Sequence, residues 1–207
     1  MTTTPRAAGM TINSVFSGDN AGLIAYVAPL WIPPDALVLD DTYGGGGWWK
    51  QWRPERLIAH DRYTLDGVDF RQLPELDASV DVVAFDPPYV STGNPATSTV
   101  PDLYARYGIG QTGWRATFEL VAAGMKEATR VLVPRGRLLV KCCDFVESGQ
   151  RRWGHDHVVT TARNLGLRQR DEVIHISGTG PQPARPRQLT TRRAHSFLCL
   201  FETPPRP

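Results

Sequence analysis

Val80-Asp81-Val82-Val83-Ala84-Phe85-Asp86-Pro87-Pro88-Tyr89 is the stretch from which the rest of the chain is read. A short apolar run of this length, bounded by a turn, suits a strand buried in a sheet. It ends on Asp86, and two consecutive prolines then remove two backbone donors and stiffen the turn. The Asp86 carboxylate and the Pro87 carbonyl are left to accept together from one exocyclic NH2. The Tyr89 ring can stack on the planar base bearing that amine. Two acceptors pulling on an aromatic amine make its nitrogen more tetrahedral and more nucleophilic. A plain turn with Tyr89 packed on the core is the competing reading.

Outward from this stretch, the same grammar recurs. Ala36-Leu37-Val38-Leu39 is a buried-strand run ending on Asp40 and opening into Gly44-Gly45-Gly46-Gly47. Arg56-Leu57-Ile58-Ala59-His60 ends on Asp61, and a weaker third run centres on Val68. Helical spacing from about residue 112 to 130 places Phe118, Val121, Met125 and Ala128 on one stripe. A fifth strand over 136–141 follows a turn at Pro134. A second long helix over 157–165 stops at Gly166, a sixth strand covers 173–176 and a seventh 196–201. Strands alternating with helices predict an α/β fold, a mostly parallel sheet with helices on both faces. Ligands of such sheets sit beyond the carboxyl ends of the strands. Three of the first four strands end on an aspartate there.

The chain has 207 residues, 41% hydrophobic and 21% charged, enough for one domain with a sizeable core. No apolar run reaches the roughly 18–20 residues of a membrane helix, and no signal-peptide core is present, so a cytoplasmic protein without a membrane partner is expected. Cys142, Cys143 and Cys199 have neither disulfide-framework nor metal-site spacing, so no metal is expected. The net charge of +2 conceals a division. Residues 1–129 hold 9 Lys+Arg against 15 Asp+Glu, whereas 130–207 hold 14 against 6. A basic half suggests a partner, with nucleic acid the obvious candidate.

Asp40-x-x-x-Gly44-x-Gly46, then Asp86-Pro87-Pro88-Tyr89, then Gly136-Arg137-Leu138-Leu139-Val140-Lys141 resembles the amino-methyltransferase branch of the S-adenosylmethionine-dependent methyltransferases, most of all the N6-adenine/N4-cytosine DNA methylases. The resemblance spans roughly 14–202, and Ala194 to Phe201 is similar to the antiparallel last strand of that seven-stranded, Rossmann-like fold. It implies S-adenosyl-L-methionine as cofactor and Asp86, Pro87, Pro88 and Tyr89 as the catalytic turn. Asp40, Tyr43, Gly44 and Gly46 would hold the methionine end. Asp61 would accept from the ribose, and Asp69 (with Asp66 as competitor) from the adenine amine; Asp86 would border the same pocket. Phe16, in the segment from Asn13 to Asn20, would close over the cofactor. Asp41-Thr42 departs from the Pro-Phe often found there. A dinucleotide site fits less well, because G-x-G-x-x-G spacing fails at Trp49.

The single domain is placed at 13–203, with tails at 1–12 and 204–207 and no separate recognition domain. The loop over 90–112 reads as a substrate lid or a merely mobile loop. Arg185, Arg187, Arg192 and Arg193, in a stretch without acidic residues, suit phosphate contact or a solvated basic loop equally. Lys141 either reaches the substrate or covers apolar surface. Trp48, Trp49 and Trp52 are expected to pack the first helix, with one of them as an alternative edging the cofactor pocket. His155 and His157 read as helix-start residues rather than ligands. The implied reaction is methylation of a DNA base amine, adenine N6 favoured by the aspartate at position 40. An RNA base amine methyltransferase (guanine N2 or adenine N6) and an inactive nucleic-acid-binding relative are the alternatives. The small size leaves target choice to the loops, a specificity partner or a homodimer.

Overall fold

The computed structural model describes residues 11–88, 113–177, 191 and 193–205. Tyr89, the 90–112 loop, Arg185, Arg187, Arg192 and residues 1–10 and 206–207 of the tails lie outside the described residues. The elements are β1 (Val15–Ser17), α1 (Asn20–Trp31), β2 (Leu37–Asp40), a 3-10 turn (Gly47–Trp49), β3 (Arg56–Ala59) and β4 (Val80–Phe85). After them come α2 (Trp114–Val131), β5 (Leu132–Cys142), β6 (Phe145–Glu147), β7 (Gln150–Arg152), α3 (Gly154–Asn164), β8 (Arg168–Ile176) and β9 (Ser196–Glu202).

Seven strands form one sheet in the order β1-β8-β9-β5-β4-β2-β3. All neighbours run parallel except β9, which is antiparallel to both β5 and β8. This is the expected Rossmann-like α/β architecture with an antiparallel last strand. Side chains alternate across it with the two-residue period of a strand. Val38, Val82, Ala84, Leu139, Leu198 and Leu200 face α1. Leu39, Val83, Phe85, Leu138, Val140, Cys199 and Phe201 face α2 and α3. Helices therefore cover both faces.

Four details differ from the sequence reading, each for a local reason. The run around Val68 forms no strand, because Asp66 and Asp69 accept the backbone N–H groups of Asp61, Val68 and Arg71 and hold the chain in bends. The sheet keeps seven strands because Val15–Ser17 pairs in parallel with β8. The turn at Pro134 is a bulge inside a longer β5, with Arg135 at φ 61° and a register shift opposite Val80–Val82. Helix α1 gives no amphipathic stripe, since Ala21, Leu23, Ile24, Val27, Ala28 and Trp31 are all buried. Its entry is fixed by Asp19, which accepts from Gly22 N–H at 2.7 Å. Helix α3 ends as predicted, in a Schellman motif with Gly166 at φ 76° and Leu167 N–H donating to Ala162.

Helix α2 approaches the sheet at Gly124, where an added Cβ would lie 2.4 Å from Phe85 Cζ and 2.8 Å from a Phe70 ring carbon. Those two rings meet edge to face at 5.2 Å and have no room to retreat. Gly124→Val is predicted to lose about 1–3 kcal/mol of stability by overpacking, read from the urea midpoint.

Candidate active site at the carboxyl edge

Register places the site. Asp40 ends β2 level with Ala59 of β3 and Ala84 of β4. Phe85 pairs with Val140, so Asp86 and Lys141 leave adjacent strands side by side. Two carboxylates and one ammonium are thus delivered to one edge by main-chain geometry alone.

The residues after β2 then bind these carboxylates. Asp40 accepts from Thr42 N–H at 3.0 Å and from Trp49 Nε1 at 2.7 Å. Asp86 accepts from Trp48 Nε1 at 2.9 Å through Oδ2, and its own N–H donates to Thr42 Oγ1 at 2.8 Å. Its other oxygen, Oδ1, is buried and has no hydrogen-bond partner among the described residues. Trp48 and Trp49 also pack with α1, as expected, but sequence reasoning missed their role as donors. It missed Thr42 too, which ties the two aspartates together from the position noted only as a departure from Pro-Phe. Next to it, Asp41 is buried with neither oxygen partnered among the described residues, and burial followed by the Asp40 charge pushes its carboxyl well above the usual range.

The glycine turn closes over the same edge. Gly46 N–H donates to Tyr43 O at 2.8 Å. Gly46 has φ 69°, and a Cβ there would meet the Tyr43 hydroxyl at 2.6 Å, so only glycine fits. Gly44 N–H donates to Asp61 Oδ2 at 2.9 Å. Asp61 Oδ1 accepts from Tyr63 and Thr64 N–H at 2.9 and 2.7 Å. Burial works against the Asp61 charge, yet these N–H groups and the Thr64 side chain outweigh it and hold the carboxyl below its ordinary range. The Thr64 side chain bonds the same carboxylate, so its roughly four acceptor positions are all engaged.

Electrostatics concentrate on few groups. Burial pushes the Asp40 carboxyl up to about 7 against its two hydrogen bonds, with the Asp86 and Asp61 charges adding to the rise. Burial raises Asp86 as well, and the Lys141 charge pulls it back. Lys141 is 2% exposed and donates to Asn20 Oδ1 at 2.9 Å, at the start of α1. Burial lowers its ammonium pKa while Asp86 resists. Lys141 therefore lies inside the site rather than over apolar surface.

Not every implied residue is placed alike. Phe16 packs on Tyr26 at 5.1 Å, and its ring tip lies beside Gly22 near Gln51, at the start of α1. Asp69 is engaged by Arg71 and Arg62 and by Arg71 N–H, which fill its acceptor positions. The Arg71 bonds, chiefly, keep its carboxyl below the ordinary range against burial. Its competitor Asp66 binds His60 instead. Arg193 pairs with buried Asp144 at 2.9 Å. His155 and His157 are both in the first turn of α3, His155 bonded to Glu172 and His157 stacked on Phe118. Cys142, Cys143 and Cys199 are free thiols.

A mostly parallel sheet with one antiparallel strand, and acidic groups behind a glycine turn at its carboxyl edge, define an α/β protein of the methyltransferase fold type. The chain matches no sequence-family profile and no curated relative. Among solved structures it is similar to a Bacillus halodurans C-125 protein provisionally named a methyltransferase, with a TM-score of 0.54 at 14% identity, covering 90% of this chain and 99% of that one. It is also similar to the cyclase SpnF, with a TM-score of 0.53 at 12% identity, covering 90% and 82%. A Thermus thermophilus protein provisionally named a DNA modification methylase, solved with S-adenosyl-L-methionine, matches with a TM-score of 0.46 at 22% identity. That match covers 67% of this chain and 54% of the other, so the chain spans about half the length of that protein. The first two likenesses establish a shared fold, and a cyclase as one of them means that fold alone does not fix the reaction.

Asp40 gives this edge a pH signature. Its folded pKa of about 7 lies above the unfolded value of 3.8, so the native state holds a proton that the unfolded chain loses first. Its contribution to stability is intact below about pH 4 and falls as pH rises towards 7. Asp40→Asn is expected to gain on the wild type over that window, on the order of 2–4 kcal/mol, in denaturation midpoints taken at each pH.

Proposed function

We propose that the protein transfers a methyl group from S-adenosyl-L-methionine to an exocyclic amine of a nucleic-acid base, with adenine N6 of DNA the favoured target. One observation carries the reading: Asp86 Oδ1, buried and without a partner among the described residues, at the end of β4 before the Pro87-Pro88 turn. Such an acceptor costs stability unless a donor arrives, and an aromatic NH2 supplies one.

The residues present fit the cofactor at its methionine and ribose ends. Asp40 retains acceptor capacity for an ammonium, Gly45 and Gly47 face open space, and a ribose hydroxyl would reach Asp61 by taking the place of the Thr64 side chain. The carboxylates of Asp40, Asp61 and Asp86 favour a ligand carrying positive charge. Bound there, the cofactor supplies an electrophilic methyl group on its sulfonium. Asp69 is left out of this assignment because its arginine partners occupy it. Asp86 and the Pro87 carbonyl hold the two amine hydrogens and orient the nitrogen; Trp48 fixes the Asp86 carboxylate and Lys141 balances its charge. No general base is needed, because the proton can leave after transfer. In duplex DNA the base must leave the stack at a cost of a few kcal/mol, and stacking on Tyr89 would offset about 1–3 kcal/mol of it.

Incubation with radiolabelled cofactor and either DNA or RNA, followed by nucleoside analysis, tests the proposal and identifies the base. Asp86→Ala is expected to lower turnover about 10²–10³-fold while calorimetry still detects the cofactor. Turnover near the wild-type level would sink the assignment of Asp86.

Cofactor affinity should also follow Asp40. Below about pH 7 its carboxyl is protonated in the free protein, so affinity is expected to rise about tenfold per pH unit from 5 to 7. It should then level off until the ligand's own amino group titrates near pH 8. Calorimetry of Asp40→Asn should show a weaker and flat profile over the same range.

A further inference from the structure

We infer that Trp153, together with Trp114 and the arginines around both rings, forms a binding surface for an unpaired stretch of nucleic acid next to the Asp86 turn. The inference rests on the proposed function and names the surface that holds its substrate. Strand β5 lies beside β4, and the chain leaving its carboxyl end runs through the β6–β7 hairpin directly into Trp153. Buried Asp144 anchors this excursion by accepting from His155 N–H at 3.2 Å and from Arg193 at 2.9 Å.

Trp153 occupies the N-cap of α3, makes no side-chain capping bond and is 55% exposed. That position favours Ser, Thr, Asp or Asn, whose oxygens accept the orphan N–H groups of the first turn. An indole there forgoes the cap and leaves half its surface in water, a local inconsistency of the kind that marks functional positions. Arg193 lies over its ring at 5.3 Å. Trp114 opens α2 behind Gly113, which supplies no cap either, and has the guanidinium groups of Arg115 and Arg152 at 4.5 and 4.6 Å from its ring centre. Arg151, its neighbour on the hairpin, donates to Thr191.

Indoles edged by guanidinium groups suit one chemistry in particular. An exposed ring offers its π-face to an unstacked base, while guanidinium groups held against aromatic rings offer N–H groups to phosphate oxygens. Paired bases present no free face to such a ring, so the ligand is a single strand or a strand opened around a flipped base. Two carboxylates sit among these groups, Asp144 taken by Arg193 and Glu147 near Gly113, so stacking contributes more than net charge.

The test uses the full chain, a fluorescein-labelled single-stranded DNA 20-mer and its ribo-equivalent, with anisotropy titrations at several salt concentrations. Trp153→Ser is expected to weaken binding about 5–150-fold while its Tm stays level or rises, because serine caps α3. Trp153→Phe should keep most of the affinity. Arg151→Gln should flatten the salt slope by about 0.7. Wild-type affinity and slope in Trp153→Ser would overturn the surface, as would equal loss in the Phe variant. Methyl transfer measured on the same 20-mers separates this from the proposed function. A wild type that binds through Trp153 without methylating sinks the reaction but keeps the surface. One that methylates while Trp153→Ser retains its affinity and KM sinks the surface alone.

Discussion

Two indole N–H groups, from Trp48 and Trp49, hold the carboxylates that end β4 and β2. Much of this edge depends on those bonds. A carboxylate withdrawn from water needs donors to stay charged, and Asp40 is only 4% exposed. Trp49 can reach it only if the chain reverses within the glycine run, and that reversal needs Gly44 and Gly46 in left-handed conformation. Asp61 fixes the turn by accepting from Gly44 N–H, and Thr64 donates back to the Gly44 carbonyl. The same tryptophans then complete the packing of α1. Fold and site are thus one network, in which Asp40 and Asp86 are partly compensated while, among the described residues, Asp41 and one oxygen of Asp86 have no partner.

The charge division along the chain acquires a different meaning in space. The acidic half does supply Asp40, Asp41, Asp61 and Asp86 at the carboxyl edge, with Lys141 from the basic half set beside Asp86. Some of the basic half, however, serves the fold. Arg130 bridges Glu127 and Asp77, and Arg137 donates to the carbonyl of Trp31 at 2.9 Å. The arginine-rich surface at the β6–β7 hairpin draws on both halves, since Arg115 belongs to the acidic one. Sequence position alone does not sort charges by task.

Strand periodicity was readable because a buried strand repeats every residue or two, and β2 and β4 were located by that signal together with the aspartates that end them. The signal failed where short-range competition intervened. Around Val68, the carboxylates of Asp66 and Asp69 offered the backbone N–H groups a nearer partner than another strand. At Pro134, a residue that reads as a turn was absorbed as a bulge in a continuous strand. Helix α1, apolar on all sides, has no polar face to reveal its period.

The sequence by itself determined the sheet order's ingredients, the acidic strand ends and the stiff Asp86-Pro87-Pro88 turn, because each depends on residues adjacent in the chain. Only the tertiary structure decided which donors satisfy those acids. Trp48 lies 38 residues from Asp86 and Asn20 lies 121 from Lys141, separations over which no local pattern operates. It also decided that Asp69 is spent on Arg62 and Arg71, and that Trp153 stands half in water where a capping residue belongs. Hydrogen-bond capacity is finite and is allotted by proximity in space, and a sequence lists the donors and acceptors without that allotment.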